Sequence, residues 1–392
     1  MTEVATSAAP RPRLGWAAAM AVALLFAAMV VAFHLRDVGR PMLLDFTNFW
    51  ATGRLALGGE AAAAYDPAAL AAAQAAAVGP TSAVMPYPYP PAFMLVTAPF
   101  ALLDYHFAFA LWVVAGFALF LWAGTRMAPA PLVAAQPAVL INGMIGQTGF
   151  LTGAILLAGA RLLGERPFRA GLLLGLLVLK PQLALMLPVA VIAARAWPAI
   201  GGALLSALVL LGAGLVAFGA DSTRAFLAVA GEFDGIVGGD RLSWNELASP
   251  FGLLRDLGGT AGPAMVVQLA CAGFAAVLCW KSWREGWAQR GPILCTASLV
   301  ASPYLQSYDT LPMLAAIAWF RPHAPVKALA LYLFCLVPVA SQSDLVALPN
   351  SLPAAALLAL ALLWHERRQD EADQITPTRL PAASNMPRIS PT

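Results

Sequence analysis

Charge is what this sequence has least of. Asp, Glu, Lys and Arg make up 11% of its 392 residues, whereas 60% are hydrophobic and the mean hydropathy is +0.74. Ordinary soluble domains carry about 25% charged residues, so a water-facing surface cannot be built from this composition and an integral membrane protein is indicated. Cysteine is nearly as scarce. Cys271, Cys279, Cys295 and Cys335 sit singly in apolar stretches without CxxC spacing, which excludes a thiolate metal motif and leaves them as small apolar side chains. The four histidines (His34, His106, His323, His365) are scattered. With no HExxH and no clustered acids, no metal site and no cofactor is predicted, and a metal requirement stays open. Basic residues flank apolar runs and never gather into a patch, which argues against nucleic acid as a partner. No internal repeat is visible, which weighs against inverted-repeat transporters.

What is present is a series of apolar runs. Arg11 and Arg13 precede the first, residues 14–33, which is long enough to span and lacks a small-residue cleavage site. Residues 1–13 are therefore predicted to be a cytoplasmic N-terminal segment ahead of a membrane domain over 14–366. Several later runs fall below the roughly 17 residues of a straight span, so some must merge, tilt or re-enter, and ~10–12 transmembrane helices are expected by length. Arg161, Arg166 and Arg169, then Lys281, Arg284 and Arg290, then Arg321 and Lys327 mark cytoplasmic loops. Residues 367–392 are predicted to be a disordered cytoplasmic tail. A first loop (about 35–90) and an acidic, aromatic second loop (about 220–262) then face outward. The first holds an alanine-rich segment, 68–78, expected to lie as a helix on the membrane surface. Between Tyr89 and Arg161 the number of crossings has the wrong parity unless one short segment re-enters or two merge.

The first loop opens with Leu44-Asp45-Phe46-Thr47-Asn48-Phe49-Trp50-Ala51-Thr52-Gly53-Arg54. A lone carboxylate among aromatics at a membrane exit is costly unless it is used. An interfacial aromatic belt with one solvated acid accounts for the same residues. Met85-Pro86-Tyr87-Pro88-Tyr89-Pro90-Pro91 follows, too proline-rich for helix and therefore a stiff extended strap.

Three polar interruptions come later. Residues 142–149 carry three glycines and two amides, and Gln147 suits a hydroxyl-rich ligand; a plain loop would look the same. Lys180-Pro181-Gln182 breaks an apolar run whose two ends, Arg169 and Arg195, are both cytoplasmic, so Lys180 falls at the far, outer turn. A phosphate is a natural partner for an ammonium there, and snorkelling is the alternative. Ser302-Pro303-Tyr304 with Tyr308-Asp309 also falls outward, where tyrosine faces and a carboxylate suit a sugar; interfacial anchoring would explain the tyrosines but not Asp309.

Taken in order, these motifs resemble glycosyltransferase family 87, multi-spanning polyprenol-phosphate-mannose-dependent mannosyltransferases of the GT-C fold. The resemblance is carried by Asp45-Phe46 through Trp50 to Gly53-Arg54, Tyr65-Asp66-Pro67, Tyr89-Pro90-Pro91 with Pro99, Gly146-Gln147, Ala170-Gly171 to Gly175 with Lys180-Pro181-Gln182, and Ser302-Pro303-Tyr304 with Tyr308-Asp309. It covers about residues 40–320. It implies an all-α integral membrane bundle of GT-C type in a bacterial inner (plasma) membrane, both termini cytoplasmic and the active site extracytoplasmic. It also implies transfer of a hexose, mannose first, from a polyprenyl-phosphate donor to a lipid or glycan acceptor. Asp45 would be the general base of an inverting displacement, with Lys180 and Arg54 on the donor phosphate. Asn48, Trp50, Tyr87, Tyr89, Gln147, Gln182, Tyr304, Tyr308 and Asp309 would line the substrate site. The competing reading is a transporter or flippase, which requires a polar path reaching both faces.

Overall fold

The computed structural model describes residues 44–80, 84–231, 244–342 and 349–375. The predicted first helix and N-terminal segment, the middle of the second outward loop and residues 376–392 lie outside the described residues. Among the described residues the regular structure is helical throughout, with a single isolated bridge between Leu247 and Gln306. The expected all-α class holds.

The first helices are α1 (Asp45–Leu57), α2 (Pro67–Val78), α3 (Met94–Ala101), α4 (Tyr105–Gly124), α5 (Ala130–Ala134), α6 (Ala138–Ile145), α7 (Gly149–Leu163) and α8 (Pro167–Leu174). Two 3-10 turns, Gly175–Leu179 and Pro181–Ala184, separate these from α9 (Leu187–Ala193) and α10 (Trp197–Gly231). Then come α11 (Pro250–Asp256), α12 (Ala261–Arg284), α13 (Arg290–Ala301), α14 (Leu314–Phe320), α15 (Pro325–Gln342) and α16 (Leu352–Ile375). Proline opens α2, α8 and α11, where its missing N–H costs nothing. Asp66 caps α2 by accepting from the Ala69 N–H at 2.8 Å, and Ser249 caps α11 by accepting from Gly252 at 3.0 Å.

Three described helices, α4, α10 and α12, are long and apolar enough to cross a membrane. Their outer faces carry large exposed apolar side chains, such as Val114, Leu208, Val216 and Val266, a surface suited to lipid and not to water. Other passages are assembled from short helices. The run around Lys180 is one: α8, the two 3-10 turns and α9 form an interrupted pair of legs with Lys180 at the apex. α8 and α10 approach closely because Gly171, Gly175 and Gly202 have no side chain; a Cβ at each would strike the facing helix's backbone.

Five sequence expectations change. The Asp45 stretch is a helix, α1, and not a loop: Thr47 Oγ1 accepts from the Leu44 N–H at 3.1 Å and closes its first turn. The aromatic-belt alternative also fails, since Phe46 and Phe49 are each 1% exposed and face inward from α1. The open parity between Tyr89 and Arg161 is resolved by α3. Tyr89 before it meets Gln147, and Tyr105 after it meets Thr47 beside Asp45, so the segment returns to the end it left. Finally α16 continues through Arg367 and Arg368 to Ile375, because the polar residues there are mostly strong helix formers; the predicted tail is helical at its start. The second outward loop likewise begins as helix, α10 running past a break at Gly219.

Two apolar clusters fill the interior. The larger is built from α7, α8, α9 and α12 to α16. The smaller is aromatic and joins α1, the proline strap and α4. Leu177 belongs to the first and Leu179 to the second, so the chain reaches Lys180 where the two meet.

Candidate active site

Asp45 is the first residue of α1, where a carboxylate complements the helix dipole. The helix is held from beneath by its own aromatics. Phe46 packs against Phe109 and Trp112 at 5.6 and 6.0 Å between ring centres, and Phe49 against Phe93 at 5.2 Å. Each such pair contributes about 0.5–1.5 kcal/mol beyond its buried area. Asp45 itself stays half-buried above them.

The strap crosses beside α1. Asn48 donates to the Pro86 carbonyl at 2.7 Å, Gln74 of α2 donates to Met85 at 2.7 Å, and Tyr65 donates to the Tyr89 carbonyl at 2.8 Å. Proline cannot supply ladder hydrogen bonds, so side chains satisfy this extended backbone instead. Tyr87 and Tyr89 are thereby buried in the aromatic cluster.

Gln147 follows Gly146, which ends α6 with φ +68°, a left-handed conformation that glycine adopts without strain. A Cβ there would press on Phe46, and Trp112 Nε1 donates to the Gly146 carbonyl at 2.8 Å. The turn aims Gln147 at the acid: Nε2 donates to Asp45 Oδ1 at 3.0 Å, while Oε1 accepts from Tyr89 Oη at 3.2 Å and from the Thr148 N–H at 2.7 Å.

Lys180 completes the arrangement from the apex of the interrupted legs. Its ammonium meets Asp309 Oδ1 at 2.6 Å and lies 4.5 Å from the centre of the Tyr308 ring. Both members of the ion pair are buried, at 4% and 1% exposure. Asp309 Oδ2 is buried with no hydrogen-bond partner. The turn carrying this acid is fixed to the α6–α7 corner by Asn142, which donates to the Tyr308 carbonyl at 2.8 Å.

Burial pushes the Asp45 carboxyl up to about 6; the Gln147 hydrogen bond and Lys180 pull it down, and Glu246 and Asp309 push it up. Such a group is mostly ionised at neutral pH and still basic enough to take a proton, the condition for a general base. Among the described residues no group of three or more His, Cys, Asp or Glu side chains is assembled.

The structure therefore brings Asp45, Tyr89, Gln147, Lys180, Tyr308 and Asp309 together at one end of the bundle. Asn48 and Tyr87 hold the strap. Gln182 is half-exposed beside Lys180 in the turn Pro181–Ala184. Tyr304 packs against Phe251 at 6.0 Å between ring centres, on the wall formed by α11. Arg54 and Trp50 are not brought to the phosphate position. Arg54 is exposed in the last turn of α1, donates to the Ala101 carbonyl at 3.4 Å and stacks on Trp50, whose indole donates to Leu103 at 3.1 Å. Nine residues of helix separate Arg54 from Asp45, roughly 13 Å of rise.

Sequence reasoning missed several contributors. Glu246 acts on the charge of Asp45 from the second loop, and Asn350 ties that loop to the Asp309 turn by donating to the Asn245 and Leu247 carbonyls at 3.1 Å and to Ser307 at 3.0 Å. Thr47 and Tyr105 share a 2.8 Å hydrogen bond beneath α1. A polar side chain in an apolar surrounding was the available signal for Asn350, as it was for the amide of Asn142 in the interruption already singled out; nothing local marked Tyr105.

The family model for glycosyltransferase family 87 matches residues 87–305, more than half of the chain. No curated protein and no solved structure matches it. The matched span holds Tyr87, Tyr89, Gln147, Lys180, Gln182 and Tyr304, while Asp45, Tyr308 and Asp309 lie outside it and join the site by geometry. With its spanning helices and its single-ended polar cluster, this chain belongs to glycosyltransferase family 87 and is a membrane glycosyltransferase.

Proposed function

We propose that the protein transfers a hexose, with mannose the first candidate, from a polyprenyl-phosphate donor to a lipid or glycan acceptor at the extracytoplasmic face. The observation that carries this reading is the half-buried Asp45 carboxylate, held by Gln147 at 3.0 Å, in the electrostatic reach of the buried Lys180. Asp45 takes the proton of the acceptor hydroxyl as its oxygen attacks the anomeric carbon. The bond from that carbon to the donor phosphate breaks on the opposite side, so the configuration inverts. Lys180 is the cation available to the negative charge that collects on the departing phosphate. Gln147 fixes which way the carboxylate faces, and Tyr89 fixes Gln147. The outward orientation is supported by the arginine-rich opposite end of the bundle.

The test is transfer of labelled hexose from polyprenyl-phosphate mannose and polyprenyl-phosphate glucose in proteoliposomes. Asp45→Asn is expected to lower the rate by about 10²–10⁴-fold, the usual range for general-base assistance. A variant as fast as the parent would remove Asp45 from the mechanism, and a parent inactive with every polyprenyl-phosphate hexose but active with a nucleotide sugar would remove the donor class.

A further inference from the structure

A second concentration of charge lies at the far end of the bundle. α4 and α7 begin beside the carboxylate site and end at a cavity of about 490 Å³, and the 3-10 turn Ser307–Met313 that carries Asp309 leads into α14, which ends there; α13 runs the other way, from Arg290 at the cavity to the segment leading to Asp309. The fifteen residues of α7 put roughly 22 Å between the two places. Arg126, Arg161 and Arg290 line the cavity, and Met127, Ala315 and Ala318 are among its apolar walls.

None of the three arginines pairs with a carboxylate among the described residues. Arg126 stacks on Trp122, 3.8 Å from the ring centre, and donates to its carbonyl. Arg290 stacks on Trp283 at 5.1 Å, in space left by Gly164, where a Cβ would collide with the guanidinium. Arg161 is exposed and makes no side-chain hydrogen bond, ion pair or ring contact among the described residues. Of the acids at this end, Glu366 is engaged by His323 at 2.6 Å and Trp319 at 2.5 Å, Glu285 accepts from Trp287 at 2.7 Å, and Glu165 is exposed without an ion pair to the three arginines among the described residues. Stacking occupies the faces of a guanidinium and leaves in-plane N–H donors for an anion. Three such donors would suit free phosphate, but apolar walls would then stay wet. A phosphate ester with a hydrocarbon chain satisfies both surfaces. This is also the end that the positive-inside rule gives to the cytoplasm.

We propose that this cavity binds the phosphate headgroup of an anionic membrane lipid of the cytoplasmic leaflet, with Arg126, Arg161 and Arg290 on the phosphate and the lipid chain along the apolar wall. The site is separate from the transfer chemistry and does not depend on which sugar is transferred.

The experiment titrates the full-length protein in neutral detergent with dioleoyl phosphatidylglycerol, dioleoyl phosphatidylcholine, undecaprenyl phosphate and inorganic phosphate, read by native mass spectrometry. Phosphatidylglycerol should bind in preference to phosphatidylcholine. Arg161→Gln, which removes no contact within the protein, should weaken it about fivefold, the effect of about 1 kcal/mol for one basic residue near a lipid headgroup. The triple change Arg126→Gln, Arg161→Gln, Arg290→Gln should weaken it further. The control triple Arg166→Gln, Arg169→Gln, Lys281→Gln, which removes exposed charges outside the cavity, should stay within about twofold. Displacement of phosphatidylglycerol by undecaprenyl phosphate would name the polyprenyl lipid as an occupant, and failure to displace it would name the phospholipid; either supports a lipid-phosphate site. Equal binding of phosphatidylcholine, equal loss in both triples, no loss in Arg161→Gln, or complete competition by equimolar inorganic phosphate would overturn it.

Discussion

Removing Asp309 while keeping Lys180 should be among the most damaging single changes at the site, and removing both should be much milder. At 2.6 Å the Lys180–Asp309 attraction is about 6 kcal/mol if the effective dielectric is about 20. Taking both charges from water costs several kcal/mol each, so the intact pair contributes little net stability. Asp309→Ala leaves a buried ammonium without its counter-ion, and such half-broken pairs typically cost about 3–5 kcal/mol. The double variant Lys180→Met, Asp309→Leu removes both desolvation penalties and should recover most of that loss, a coupling that a double-mutant cycle reads directly. Stability is measured as the unfolding midpoint in one detergent at one protein concentration, beside transfer activity in liposomes. The recovered double variant should remain inactive, because it lacks the cation for the leaving phosphate. If Asp309→Ala were as stable as the parent, the pair would not be buried as described. If the double variant transferred sugar normally, Lys180 would have no part in the reaction.

The pH dependence of transfer should have an acid limb near 6, since Asp45 must lose its proton to act and burial has raised its pKa. The same shift makes the Asp45 contribution to stability present below about 4 and lost as pH rises through about 6. Gln147→Leu removes the hydrogen bond that favours the carboxylate, so the acid limb should move to higher pH while activity at its plateau falls; an unmoved limb would mean that Gln147 does not govern Asp45. Gly149→Ala should destabilise by about 1–3 kcal/mol, because the added methyl meets the Tyr308 carbonyl and the Asn142 side chain at the corner that fixes the Asp309 turn. Chemical denaturation checks the last, with Gly143→Ala, which has open space, as the control.

The sequence by itself determined that this is a helical membrane protein, which segments are too short to cross unaided, and that Lys180-Pro181 interrupts its run. Each follows from hydropathy, proline chemistry and helix length within a few tens of residues. It also singled out Asp45, Gln147, Lys180 and Asp309, which the structure brings together. What only the tertiary structure decided is who meets whom. Asp45 and Gln147 are 102 residues apart, and Lys180 and Asp309 are 129 apart. Asp309 had looked like a sugar-facing acid and is the counter-ion of the lysine, while Arg54 had looked like a phosphate ligand and binds a carbonyl on α3. No local period encodes such pairings. They depend on how α1, the strap and the interrupted legs stack, and that is set by the summed burial of aromatics such as Phe46, Phe49 and Phe93, whose partners come from distant parts of the chain.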